Sequence, residues 1–377
     1  MQEPMRIIFV SAMNGWQWGG SEELWSQCAA AMKKAGDHVM VSVPDWPKKA
    51  SRIVELEQLG VQVKTRPAGK DMRLTRRIRK ALVDSFGDDS GWLSSFRPDL
   101  VVISQGYNSG GFKIAAACQK AEIPYIVIVH CNHESWWFGS DLDAALQCYT
   151  HAKRVFCVSE RNLALLRLQL GEPALEADIV RNPFNVSCDS PPAWPGSDLP
   201  WRIACVARLE LAAKGQDILL QTLALPEWRD RPIELNLYGS GPDESLLRKL
   251  IKCMELKSVN LMGHTHDVRE IWAGNHILAL PSRYEGLPLA LVEAMWCARP
   301  AIVTDVGGNA ELCVDGQTGF VAAAPNLASF SATLDSAWKM RNQWQEMGRT
   351  ARTVVQVRIP TNPIDIFCGR IRQLVAS

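Results

Sequence analysis

The sequence predicts two doubly wound α/β units joined by a proline-rich linker, and three observations carry that prediction. The chain has 377 residues, about 2.5 times the usual domain length, which favours two domains over one or four. Short apolar runs, each about four to seven residues and apolar on both faces, alternate along it with longer amphipathic stretches, the βαβα rhythm of a buried parallel sheet. Between the two series lies NPFNVSCDSPPAWPGSDLP (Asn182 to Pro200), with five prolines and no apolar period, the composition of a linker.

The elements follow in order. In the first half the strand-like runs are RIIFVS (Arg6 to Ser11), HVMVSV (His38 to Val43), DLVVIS (Asp99 to Ser104), YIVIVH (Tyr125 to His130) and VFCVS (Val155 to Ser159). The second half repeats the rhythm with RIACVA (Arg202 to Ala207), IELNLYG (Ile233 to Gly239), ILALPS (Ile277 to Ser282) and AIVTD (Ala301 to Asp305). The stretches between read as helices; SEELWSQCAAAMKKAG opens on Ser21 as N-cap and closes on Gly36. The expectation is a Rossmann-like domain over residues 1–185, a linker over 186–200 and a second Rossmann-like domain over 201–360. Pro360 and Pro363 break the final helical region, and the last helix, within 361–377, is expected to cross back onto the first domain.

Composition narrows the function. Hydrophobic residues make up 47% and charged residues 21%, which excludes a largely disordered chain. No apolar run approaches the roughly 18 residues a membrane span needs. The N-terminus MQEPMRIIFVSAMNG has no basic n-region, so a cytoplasmic location is expected. A net charge of +1 argues against nucleic acid as a partner. The eleven cysteines include no C-x-x-C pair and read as free, mostly buried thiols.

The chemically interesting residues cluster where apolar runs end, which is where open parallel sheets bind ligands. Gly19 and Gly20 precede the first helix, either as an ordinary strand–helix turn or as a place where backbone N–H groups meet an anion. No G-x-G-x-x-G or Walker motif is present. His130 ends its strand as a core histidine or as a donor to a phosphate or sugar oxygen. His130 and His133 lack a motif-placed third ligand, so no metal is expected. Arg208 and Lys214 flank a short loop from which two cations can clamp a diphosphate, or remain solvated charges. In RYEGLPLALVEAM, Glu285 sits in a turn, Gly286 and Leu287 present backbone N–H groups, Pro288 suits a first helical turn, and Glu293 follows within the helix.

Together these residues resemble the retaining GT-B glycosyltransferases with the E-x7-E signature, the family-four group of bacterial sugar transferases. GGSE, His130, VSE, RNPF, ARLELAAKG, YGSGP, MGH, LPSRYEGLPLALVEAM and GGNAEL…GQTGFV occur in that family's order. The resemblance implies two Rossmann-like domains facing a cleft and closing over the donor, and a metal-independent transfer with no cofactor beyond a nucleotide-diphosphate-sugar. Arg208 and Lys214 would hold the diphosphate, Glu285 the sugar hydroxyls and Glu293 the nucleotide ribose. Gly20 would approach the phosphates, His130 the donor sugar, and Gly239, Gly241, Gly263 and His264 the nucleotide. Ala207 departs from the glycine common before that arginine. The rival readings are a GT-B epimerase and a non-catalytic nucleotide-sugar-binding protein.

The acceptor is read more coarsely, as a glycan or a lipid-linked acceptor. KTRPAGKDMRLTRRIRK (Lys64 to Lys80) carries eight basic residues against Asp71. With Arg73, Arg76 and Arg77 it reads either as a solvated face or as a dock for an anionic surface, which would make the protein peripheral on the inner face of the cytoplasmic membrane. Trp16, Trp18 and Trp136 follow strand ends and suit an acceptor sugar or the core.

Overall fold

The computed structural model describes residues 3–13, 15–67, 91–187, 189–196, 200–265 and 267–377. It divides into two compact units, Met1–Pro183 with Asn362–Ser377, and Phe184–Thr361. Each is built on one parallel sheet.

The first unit holds β1 (Arg6–Ser11), β2 (His38–Asp45), β3 (Gln62–Pro67), β4 (Leu100–Gln105), β5 (Tyr125–Val129), β6 (Arg154–Cys157) and β7 (Ala177–Ile179). Their order across the sheet is β3-β2-β1-β4-β5-β6-β7, so the chain reverses its winding between β1 and β4. The second unit holds β8 (Trp201–Val206), β9 (Ile233–Tyr238), β10 (Val259–Gly263), β11 (Ile277–Leu280), β12 (Ala301–Thr304) and β13 (Gly319–Ala322). There the order is β10-β9-β8-β11-β12-β13, with the reversal between β8 and β11. At such reversals neighbouring connections leave on opposite faces and open a crevice beyond the carboxyl ends of the strands.

The nine strands expected from apolar runs are all present, with ends shifted by a residue or two. Four more were not foreseen, and they are the four edges: β3, β7, β10 and β13. An edge strand has one neighbour and needs less apolar surface. Accordingly β3 buries one of its six residues and β7 none, whereas β4 and β5 are buried throughout. β13 is buried but has only four residues, too few to display a period.

The helix Gly20–Lys34 packs Leu24, Trp25, Cys28 and Met32 inward, with acids in its first turn and lysines in its last, complementing its dipole. It does not open on a serine cap. Gly19 occupies the N-cap with extended backbone and Ser21 lies inside the first turn, nearly buried. The cap lies two residues earlier than expected, and the Ser21 carbonyl accepts from Ser104 of β4 at 3.4 Å, which ties the first turn to the sheet.

The helix Pro363–Ala376 begins on Pro363 and lies against Gly20–Lys34 in the first unit. Phe367 meets Phe156 edge-on at 5.3 Å, Arg372 pairs with buried Asp37 at 2.7 Å, and Arg370 donates to the Ile179 carbonyl at 2.8 Å. Part of the proline-rich stretch is likewise fixed, to the second unit: buried Arg299 donates to the Ala193 carbonyl at 2.6 Å, and Trp194 meets His276 edge-on. Nine of the ten described cysteines are buried and all ten are free thiols.

Candidate functional site

In the first unit the strand ends bring the glycine pair and His130 to one place. The backbone N–H of His130 donates to Gln105 at the end of β4, and its Nε2 lies 3.1 Å from the Ser104 hydroxyl. Because Ser104 donates onward to Ser21, its oxygen is left to accept, which assigns the Nε2–H tautomer. Burial pushes the imidazole down to about 3, so it is neutral at physiological pH. Its Nδ1 is a buried acceptor with no hydrogen-bond partner among the described residues. In this tautomer the ring's remaining hydrogen-bonding capacity is that of an acceptor, at Nδ1.

Two ionisable residues beside this corner lie in stretches the sequence marked but were not singled out there. Glu22, in the first turn after Gly20, is almost fully buried and burial pushes its carboxyl up to about 7, against the opposing pull of the Ser11 hydroxyl and of Arg66. Arg66, in β3, donates to the carbonyls of Ser11 and Ser42. It comes from the basic run read as a possible surface dock, yet it is buried. Arg73, Arg76 and Arg77 of that run lie outside the described residues.

The three tryptophans are half-buried. Trp18 donates to Glu23 at 2.7 Å and lies 6.1 Å from Trp25, Trp136 packs on Tyr107 at 5.0 Å, and Trp16 lies between β1 and the first helix.

In the second unit the residues after β8, β9 and β11 converge. Lys214 Nζ donates to Glu285 Oε1 at 2.6 Å, and the Ser282 hydroxyl donates to the same oxygen at 2.8 Å. Glu285 is 7% exposed, so this ion pair is poorly screened. Arg208, after β8, holds Glu210 through Nε at 2.8 Å and Nη2 at 2.6 Å, and Gln216 donates to the Arg208 carbonyl at 2.8 Å. The Leu211 N–H donates to Asp243 at 2.8 Å, while Arg283 forks onto Asp217 at 2.9 and 2.8 Å and donates to the Leu211 carbonyl. Four carboxylates thus hold the loop that carries Arg208 and Lys214.

Backbone crosses closely here. A Cβ on Gly239, whose φ is +131°, would lie 2.1 Å from the Ala207 carbonyl oxygen, and one on Gly241 would lie 2.3 Å from that of Leu209. Only glycine lets the β9 turn pass over the β8 loop. The Gly239 N–H donates to the Gly263 carbonyl at 2.7 Å, and His264 beyond it is exposed. The Gly286 carbonyl accepts from Gly308 at 2.6 Å, Leu287 is buried, and Pro288 caps the helix Leu289–Trp296. Glu293, in that helix, is 4% exposed and accepts from the Asn185 N–H at 3.0 Å.

Each of the two sets stands at the carboxyl end of its own sheet, at or next to the reversal of strand order. Sequence reasoning missed Glu210, Ser282, Asp217 and Asp243. Ser282 had a signal, since it ends the run ILALPS three residues before Glu285; Asp217 and Asp243 declare themselves only through tertiary partners. Among the described residues no group of three His, Cys, Asp or Glu side chains is placed to hold a metal ion.

Comparison with known proteins matches both halves. Residues 18–187 match the family model Glycosyltransferase Family 4, and residues 200–339 match Glycosyl transferases group 1. An uncharacterized glycosyltransferase of Haemophilus influenzae is 34% identical over 129 residues, 32% of this chain and 35% of that protein. The alignment therefore spans about a third of that relative. Glycogen synthase of Mycobacterium tuberculosis is 27% identical over 301 residues, 73% of this chain and 68% of that one. In architecture, Anabaena HepE in complex with UDP and glucose superposes with a TM-score of 0.74 at 18% identity, covering 99% of this chain and 100% of that one. Sucrose-phosphate synthase of Thermosynechococcus elongatus gives 0.75 at 17% identity, covering 98% and 99%. The chain has the GT-B fold of the glycosyltransferases, and its two halves match, in this order, the Glycosyltransferase Family 4 and the Glycosyl transferases group 1 models.

Proposed function

We propose that the protein transfers a sugar, with retention at the anomeric carbon, from a nucleotide-diphosphate-sugar to a glycan or lipid-linked acceptor, without a metal. The observation that carries this reading is the Lys214–Glu285–Ser282 cluster beside Arg208 at the reversal between β8 and β11. Two cations held by carboxylates are already oriented, so they need little reorganisation to meet the charge that grows on a departing diphosphate. The bond from C1 to the diphosphate oxygen breaks, the acceptor oxygen bonds to C1 on the same face, and its proton passes to the departing phosphate. No enzymic nucleophile is needed.

Glu285 accepts from sugar hydroxyls while Lys214 and Arg208 donate to phosphate. Glu293 receives the ribose hydroxyls on the carboxylate that now takes the Asn185 N–H. Gly239 and Gly241 let backbone come close to the nucleotide. UDP is the first nucleotide to try, because HepE was solved with it and so was the pneumococcal O-GlcNAc transferase GtfA.

The test is calorimetry with UDP, GDP, ADP and dTDP, without metal, on wild type and Arg208→Ala, followed by transfer assays with labelled sugars of the preferred nucleotide. Selective binding lost in the variant, together with transfer, is the expected result. Tight binding with no transfer to any glycan or lipid acceptor would favour the non-catalytic rival. A basic-segment dock on anionic lipid belongs to the same proposal, and vesicle co-sedimentation of a variant reversed at Arg73, Arg76 and Arg77 tests it.

A further inference from the structure

The second unit has a cavity of about 460 Å³ far from the residues just described, walled by Trp194, Trp201 and Trp338, with Arg341, Asn342 and Gln345 at its polar side. Trp201 is the first residue of β8, whereas Arg208 and Lys214 follow its last. Six residues of strand rise about 20 Å, so the cavity opens at the opposite end of the sheet.

Its walls are rigid. Trp201 packs edge-on against buried Trp344 at 5.3 Å and lies tilted against His276 at 4.9 Å. Trp338 lies 6.3 Å from buried Trp228, with the Arg341 guanidinium 4.4 Å over its ring. Trp194 meets His276 at 5.6 Å and carries Arg299 at 4.9 Å. Three half-exposed indoles are thus held in place by a buried aromatic cluster, so little conformational entropy is lost when a ligand meets them.

The chemistry of the lining selects the occupant. Pro232 is the one aliphatic residue among the described lining and none is acidic, which disfavours a lipid tail, a metal cation or a basic peptide. Indole faces take the C–H faces of a pyranose ring, and amides offer both donors and acceptors, as sugar hydroxyls require. Arg341 adds only donors. The volume falls within the usual range for small-molecule pockets.

We propose that this cavity is a second carbohydrate site, which holds one or two pyranose rings of a glycan chain at the end of the second unit remote from Lys214. Its biological sense rests on the transferase reading, because a glycan acceptor or product would be the natural source of such rings. Its binding chemistry does not.

The test is titration of the full chain with maltotetraose, cellotetraose and chitotetraose, read by calorimetry and tryptophan fluorescence, with UDP titrated alongside. At least one tetrasaccharide should bind with a Kd between about 10 μM and 1 mM. Trp338→Ala should weaken it roughly tenfold, and the double variant Asn342→Ala, Gln345→Ala roughly threefold. Both of those side chains are exposed, so the double variant carries the test if Trp338→Ala fails to fold. Lys214→Ala should leave glycan binding unchanged, and the cavity variants should leave UDP binding unchanged.

Absence of tetrasaccharide binding at about 10 mM, with UDP still bound, would overturn the proposal and spare the transferase reading. Glycan binding that survives both cavity variants, or is lost in Lys214→Ala, would also overturn it. So would self-association of the wild type that Gln345→Arg abolishes, since that would assign the cavity to a second copy of the chain.

Discussion

At the scale of single residues, the ion pair between Lys214 and Glu285 has the sharpest consequence. Glu285 keeps its Ser282 donor in Lys214→Ala but loses its cation, and on the proposed reading the site loses a donor to the departing phosphate. Removing one such donor typically costs about 2.7–4 kcal/mol of barrier. Steady-state turnover of Lys214→Ala should therefore fall roughly a hundredfold or more, and a variant within about threefold of wild type would remove Lys214 from the mechanism. Glu22 makes a second prediction at this scale. Burial raises its carboxyl from 4.5 to about 7, so between those values the native state keeps a proton that the unfolded chain has lost. Its contribution is present in full below about 4.5 and is lost as pH rises through 7. The loss is about 3 kcal/mol at most. Glu22→Gln has no proton to lose, so its stability relative to wild type should rise by that order between pH 4.5 and pH 7.5, as urea unfolding at each pH would read. A difference independent of pH would mean that burial does not raise the Glu22 carboxyl.

At the scale of elements, the turn after β9 depends on Gly239. Its φ of +131° and the Ala207 oxygen 2.1 Å from a would-be Cβ leave no room for a side chain. Gly239→Ala should cost about 1–3 kcal/mol from backbone strain, with more if the β8 loop must shift. Because that loop leads into Arg208, UDP affinity should fall with stability. Gly263→Ala is the comparison: it shares a left-handed φ of +72° but has nothing within 4 Å, so its loss should stay near the cost of φ alone. Equal losses in the two variants, by urea midpoint, would contradict the close crossing.

At the scale of the whole molecule, the chain ends in the unit where it began. Phe367 and Ile371 of the last helix are fully buried in the first unit. Phe367→Ala should cost about 3–5 kcal/mol. Hydrogen exchange should show the loss of protection in the helix Gly20–Lys34 and not in β8 or β9, since those strands belong to the other unit. Loss spread evenly over both units would contradict this division of the core.

The sequence alone determined the βαβα rhythm, the central strands and the places where chemistry collects. Central strands are buried on both faces and announce themselves as continuous apolar runs. Strand ends in a parallel sheet are where polar residues can gather, so Arg208, Lys214, Glu285 and His130 stood out. What stayed hidden depends on a neighbour. The edge strands β3, β7 and β10 are half-wet and carry no run. Ser21 looks like a helix cap, yet Gly19 takes the cap and Ser21 lies within a first turn tied to Ser104. Arg66 reads as surface charge until β3 places it under Ser11 and Ser42. Glu210 and Asp243 are ordinary acids until the β8 loop folds over them. Only the tertiary structure decided these, because local sequence sets propensity and pattern, whereas burial, ion pairing and the polarity of a ring such as His130 are set by what lies across the sheet.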